Sequence, residues 1–66
     1  MKQYTPPTMT LAAAAVEVSK QAKRNDWHKI AAIAGRVAVG GGNDKERALI
    51  AQYAAKWELA TVEAAQ

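Results

Sequence analysis

Cysteine is absent from this chain, and so is phenylalanine. Without cysteine there is no disulfide and no thiolate ligand. One histidine, His28, and one serine, Ser19, complete the short supply of reactive side chains. A single imidazole does not make a metal site, and Ser19 has no histidine or aspartate near it in sequence. No catalytic residue, no cofactor and no metal are therefore expected, and the chain reads as a non-enzyme. Long apolar runs are missing too. "LAAAAV" stops at Glu17 and "IAAIAGRVAV" is cut by Arg36, both far short of a membrane span. Neither is a secretion signal. The expectation is a soluble, cytoplasmic protein with no membrane partner.

Bulk is the other scarcity. Half of the 66 residues are apolar, but sixteen are alanine, and the aromatics are Tyr4, Trp27, Tyr53 and Trp57. Alanine favours helix yet fills little volume. A domain this small buries only about 60% of its unfolded surface. With no disulfide or metal to add, a partner chain is the expected source of further burial.

What is present is helical patterning. A polar tail over residues 1–9, with Pro6 and Pro7 keeping it extended, leads into a single helical domain over residues 10–66. Thr8 or Thr10 caps a first helix over 10–24, with Leu11, Ala15, Val18 and Ala22 on one face. Asn25 and Asp26 are good N-cap types for a second helix over 26–39, whose stripe is Trp27, Ile30, Ile33, Ala34 and Val37. Asn43 and Glu46 form a capping-box pattern for a third helix over 44–64. The fold class expected is all-α: three helices, the last two a hairpin about a glycine-rich turn, assembled as a homodimeric bundle.

The run "GRVAVGGGNDKERAL" looks at first like a phosphate cradle. Gly35 and Gly40 have the P-loop glycine spacing, but the Lys and the Ser/Thr are both missing, and Gly41 and Gly42 follow instead. A dinucleotide fingerprint fails as well, with Lys45 where the third glycine belongs. Asp44 and Glu46 already occupy the positive end of the next helix. The glycines are read as ending one helix before Asn43 begins the next.

Stepped at about 100° per residue, the third helix shows two apolar faces. Leu49, Ile50, Tyr53, Trp57 and Ala60 make the larger, and Ala48, Ala51, Ala55, Leu59 and Val62 a flatter one. Both need cover, which helices 1 and 2 could supply within one chain; with so few large side chains available, a second copy of the chain is the expected cover. The expected oligomer or partner interface is Leu49, Ala51, Tyr53, Ala55, Trp57, Leu59 and Val62. Trp57 is the expected anchor between helices, and Tyr4 in the tail a partner contact.

Charge is uneven. Residues 18–40 carry Lys20, Lys23, Arg24, Lys29 and Arg36 against Asp26 alone, whereas acids exceed bases after residue 43. These five cations are the candidate nucleic-acid patch. Residues 29–35, "KIAAIAG", resemble the first half of a helix-turn-helix, but "RVAVGGG" after them offers no base-reading side chains. The function expected is a small regulator, inhibitor or adaptor acting through contacts with itself and with another protein, of the kind common among phage and mobile-element accessory proteins. A nucleic-acid-binding regulator is the alternative.

Overall fold

The computed structural model describes residues 5–63. It is mostly helical: α1 spans Leu11–Arg24, α2 His28–Ala38 and α3 Asp44–Lys56. Two short strands, β1 (Thr8–Met9) and β2 (Thr61–Val62), pair in parallel with Thr8 opposite Thr61 and Met9 opposite Val62. The end of the expected tail thus enters the fold. Pro7 is locked extended, and its carbonyl accepts from the Thr61 N–H at 2.9 Å, while Met9 O accepts from the Glu63 N–H at 3.0 Å.

Helix starts follow the side-chain chemistry at α1 and α3. Thr10 caps α1, its hydroxyl accepting from the Ala13 N–H at 3.2 Å. Asn43 caps α3 in a complete capping box: its Oδ1 accepts from Glu46 N–H at 2.8 Å, and Glu46 Oε1 accepts from Asn43 N–H at 3.2 Å. At α2 the expectation fails. Asn25 and Asp26 are not its cap. Asn25 closes α1, donating its side-chain amide to Gln21 O at 3.0 Å, and the non-helical residue before α2 is Trp27, which has no side-chain cap.

All three helices end alike. One residue with positive φ turns the chain, and two backbone bonds close over the last turn, as in a Schellman motif. In α1 the turning residue is Asp26 (φ 59), with Trp27 N–H bonding Ala22 O at 2.8 Å and Asp26 N–H bonding Lys23 O at 3.2 Å. In α2 it is Gly40 (φ 89), with Gly41 N–H on Arg36 O at 2.8 Å and Gly40 N–H on Val37 O at 3.0 Å. In α3 it is Glu58 (φ 56), with Leu59 N–H on Ala54 O at 2.9 Å and Glu58 N–H on Ala55 O at 3.1 Å. The third stop corrects the expected helix over 44–64. Glutamate gives no termination signal in sequence, and the stop frees Leu59, Ala60 and β2 to cross back toward α1.

Helix α1 is the centre of the packing. It lies most extensively on α2 and next on α3, while α2 and α3 touch each other less, so the chief helical pair is α1–α2. Ala14, Ala15 and Val18 of α1 meet Ala34 and Val37 of α2, Ile50 and Ala54 of α3, and Ala60. Among the described residues, Ile50 and Val18 are the largest side chains buried completely. The molecule measures 37 × 32 × 16 Å. Its thin dimension is that of two helices in contact, about 13–15 Å between outer Cα atoms. Each helix therefore keeps an open face.

Two predictions follow from this scaffold. Ile50→Ala removes the largest buried side chain and costs about 2–5 kcal/mol. A core this small supplies little more than about 3–5 kcal/mol net, so circular dichroism should show the variant largely unfolded at 25 °C. Glu58→Gly relieves a left-handed side-chain conformation and should raise the urea-unfolding free energy by about 1 kcal/mol over Glu58→Ala, which removes the carboxylate but keeps the Cβ.

Candidate functional site

Because Asp26 turns the chain at the end of α1, Trp27 stands outside both helices. It is 46% exposed, not part of a buried α2 stripe as its spacing suggested. Its ring packs on Trp57, centroids 5.1 Å apart and planes at 46°, and Trp57 packs on Tyr53 at 4.9 Å and 49°. Tilted pairs at these separations are the favoured aromatic geometry. Trp57 is half-buried, packs against the core and links α3 to the α1–α2 corner through Trp27. Tyr53 also lines a shallow depression with Leu49, Gln52 and Lys56. The result is a strip from Leu49 through Tyr53 and Trp57 to Trp27. Exposure of Trp27 was the feature hidden in the sequence; the signal available was Asn25–Asp26, two residues tolerant of the left-handed turn that throws the next side chain outward.

The residues of the expected interface lie on two faces, as helical stepping separates them. Leu49, Tyr53 and Trp57 belong to the aromatic strip. Ala51 and Val62 line a separate groove with Leu11 and Ala48, edged by Asp44, Arg47 and Glu63. Ala55 is exposed on α3, and Leu59 lies past the helix stop, half-buried against the core. Tyr4 lies outside the described residues.

The basic residues divide similarly. Lys20, Lys23 and Arg24 in the last two turns of α1 and His28 and Lys29 at the start of α2 are exposed, on either side of Trp27 along the chain. Lys20 has a weak ion pair with Glu17 at 3.8 Å. Arg36 lies at the other end of α2, where its Nη2 donates to Glu46 Oε2 at 2.7 Å.

That contact helps close the glycine segment. Glu46 serves the Asn43 N–H and Arg36 together. Arg47 donates from Nε to Gly41 O at 3.4 Å and from Nη2 to Gly40 O at 3.2 Å. A Cβ placed on Gly42 (φ 84) would come within 3.0 Å of Val37 Cγ2 and 3.3 Å of Glu46 Oε1. The valine methyl and the carboxylate thus leave no room for a side chain at residue 42, and the Asn43 N–H at the start of α3 is already taken by Glu46. Among the described residues there is no buried polar side chain, no group of three metal-capable residues, and no helix long and apolar enough to cross a membrane. Ser19 is half-buried within α1 and His28 is exposed. No family model matches the chain, nor does any curated protein or solved structure.

The Arg36 hydrogen bond first, and then the Asn43 N–H, hold the Glu46 carboxyl below its ordinary value of 4.5. A folded-state value below the unfolded one contributes stability that is complete above 4.5 and is lost as pH falls through the depressed value. Glu46→Gln keeps the capping geometry without the charge. Thermal melts should show the variant less stable than the parent at neutral pH, with the gap closing in acid and in high salt. A gap that does not change with pH would assign the effect to capping alone.

Proposed function

We propose that this is a non-enzymatic protein that works by covering surfaces on other macromolecules, chiefly proteins, as a regulator, inhibitor or adaptor. The observation that carries this reading is the aromatic strip. Trp27, Trp57 and Tyr53 are placed in contact with one another at the surface, where Trp and Tyr are the side chains that dominate interface energetics. A tryptophan nearly half-exposed in a chain so poor in bulk is costly for stability and useful for binding. Self-association along α3 belongs to the same reading. Ala48 and Ala55 are exposed and Ala51 half-buried on that helix, and small side chains let a second helix come close.

A second reading has its own support. Four cations, Lys20, Lys23, Arg24 and Lys29, are exposed about the junction of α1 and α2, against Asp26 between them and Glu17, which Lys20 meets at 3.8 Å. That is the footprint of a surface for anionic polymers. The two readings are compatible, since a dimer joined through α3 would present the basic corner twice.

Light scattering at micromolar concentration should give twice the chain mass, and Ala48→Glu with Ala55→Glu, both at exposed positions, should return it to the monomer with unchanged circular dichroism. Captured protein partners should be lost on Trp27→Ala, by at least about 2 kcal/mol or thirtyfold in affinity if it is a hot spot. A monomer that captures no protein through this surface overturns the reading.

A further inference from the structure

Trp27 and its neighbours combine features that neither the core nor a generic protein interface requires. The indole sits at the junction of two helices, outside both, between cations at 23 and 24 on one side and at 29 on the other. Its underlying support is another indole, Trp57, itself held by Tyr53. The exposed ring is thus braced by aromatic contact before anything binds it, which lowers the ordering cost of using it as a platform.

We propose that this corner binds single-stranded nucleic acid, with a base stacked on Trp27 and the adjoining phosphates held by Lys20, Lys23, Arg24 and Lys29. The proposal rests on the nucleic-acid reading above and deepens it by naming the strand state and the stacking residue. Three observations favour a single strand. Its bases offer free faces to an exposed aromatic ring, whereas a duplex hides them in the stack. Exposed cations at 23, 24 and 29 lie within four residues of Trp27 along the chain, against the one acid Asp26 in that stretch, so that backbone and base can be met close together. Nothing here has the form of a recognition helix: α2 runs on from this corner into Ile30, Ala31, Ile33 and Ala34, which are buried or half-buried against the rest of the fold. Arg36 is left out of the surface, because it is at the far end of α2 and engaged by Glu46. Binding of this kind is tolerant of base sequence, and a generic strand is therefore a fair probe.

The experiment titrates the full chain with a fluorescent oligothymidine of about twenty nucleotides, the corresponding duplex, and polyglutamate, beginning at about 20 mM salt and following the salt dependence. Oligothymidine should bind more tightly than duplex and quench tryptophan fluorescence. Trp27→Leu keeps apolar cover over Trp57 but removes the stacking face, and it should weaken single-strand binding by about 5- to 150-fold. Lys23→Ala with Arg24→Ala should flatten the slope of log affinity against log salt by about 1.4, the value for two phosphates on a single strand. Circular dichroism of each variant confirms the fold. Salt-sensitive binding of strand and duplex alike, unchanged by Trp27→Leu, overturns the stacking proposal and leaves the basic-patch reading standing. Absence of binding to either nucleic acid overturns both. Preference for polyglutamate overturns the proposal in favour of an acidic protein partner.

Discussion

Helices α1, α2 and α3 all stop by the same device, a residue in the left-handed region with two backbone bonds folded back over the last turn, and the position of each stop decides what the following chain can reach. The stop at Asp26 sets α2 back along α1 and leaves Trp27 outside. The stop at Gly40 allows Gly41 and Gly42 to pass close to Arg36 and Val37 before Asn43 begins α3. The stop at Glu58 ends α3 early enough for Ala60 to enter the core and for Thr61–Val62 to pair with Thr8–Met9. Only one of the three uses glycine. The other two place acidic side chains where each costs about 1–2 kcal/mol of backbone strain. They sit moreover at helix C-termini, where negative charge meets the negative end of the dipole. Both costs are tolerated because the contacts made afterwards depend on the turn.

Those contacts are small ones. Seven of the ten buried residues among those described are alanine, and Ile50 and Val18 are the largest taken fully out of water. An alanine core lets helices approach closely and keeps backbone geometry favourable, but it offers little hydrophobic free energy per residue. Pairing β1 with β2 ties the beginning of the described chain to its end and partly compensates. The described aromatic side chains, Trp27, Tyr53 and Trp57, which have the area to stabilise such a domain most, are set at its edge, with Trp27 the most exposed of the three.

How much of this the sequence revealed varied by mechanism. Three helices, the Thr10 cap and the Asn43–Glu46 capping box were legible, because periodicity and cap chemistry are local. So was the buried face of α1, where Ala15, Val18 and Ala22 follow the helical repeat. The stop at Glu58 was not legible, since nothing in "KWELATV" disfavours a helix strongly, and tertiary pairing with Thr8–Met9 decides the matter. Trp27 was misplaced for a related reason: Asn25 and Asp26 were read as starting a helix when their tolerance of non-helical conformations was used to end one. The strip and the groove follow the two apolar faces that helical stepping separates on α3, but Leu59 and Val62 reach their places from beyond the helix stop, which the stepping did not foresee. The five-cation patch lost coherence at Arg36, whose partner Glu46 is ten residues on and visible only once α2 and α3 are placed.

Core and surface meet at Trp57. Its ring rests against the core on α3, touches Tyr53 within that helix, and supports Trp27 from another part of the chain. It is also the C-cap of α3, immediately before the strained Glu58 turn. The same residue thus ends a helix, closes the side of an alanine-rich core and braces the exposed indole. A ligand seated on Trp27 would add buried area to a contact that already joins the α1–α2 corner to α3. In a domain with so little large side-chain burial, the gain would reach the fold itself: whatever binds the native corner and not the unfolded chain stabilises the whole by mass action. Binding and folding are then two measures of one set of contacts, and the exposed tryptophan is the place where the protein's shortage of bulk becomes available to a partner.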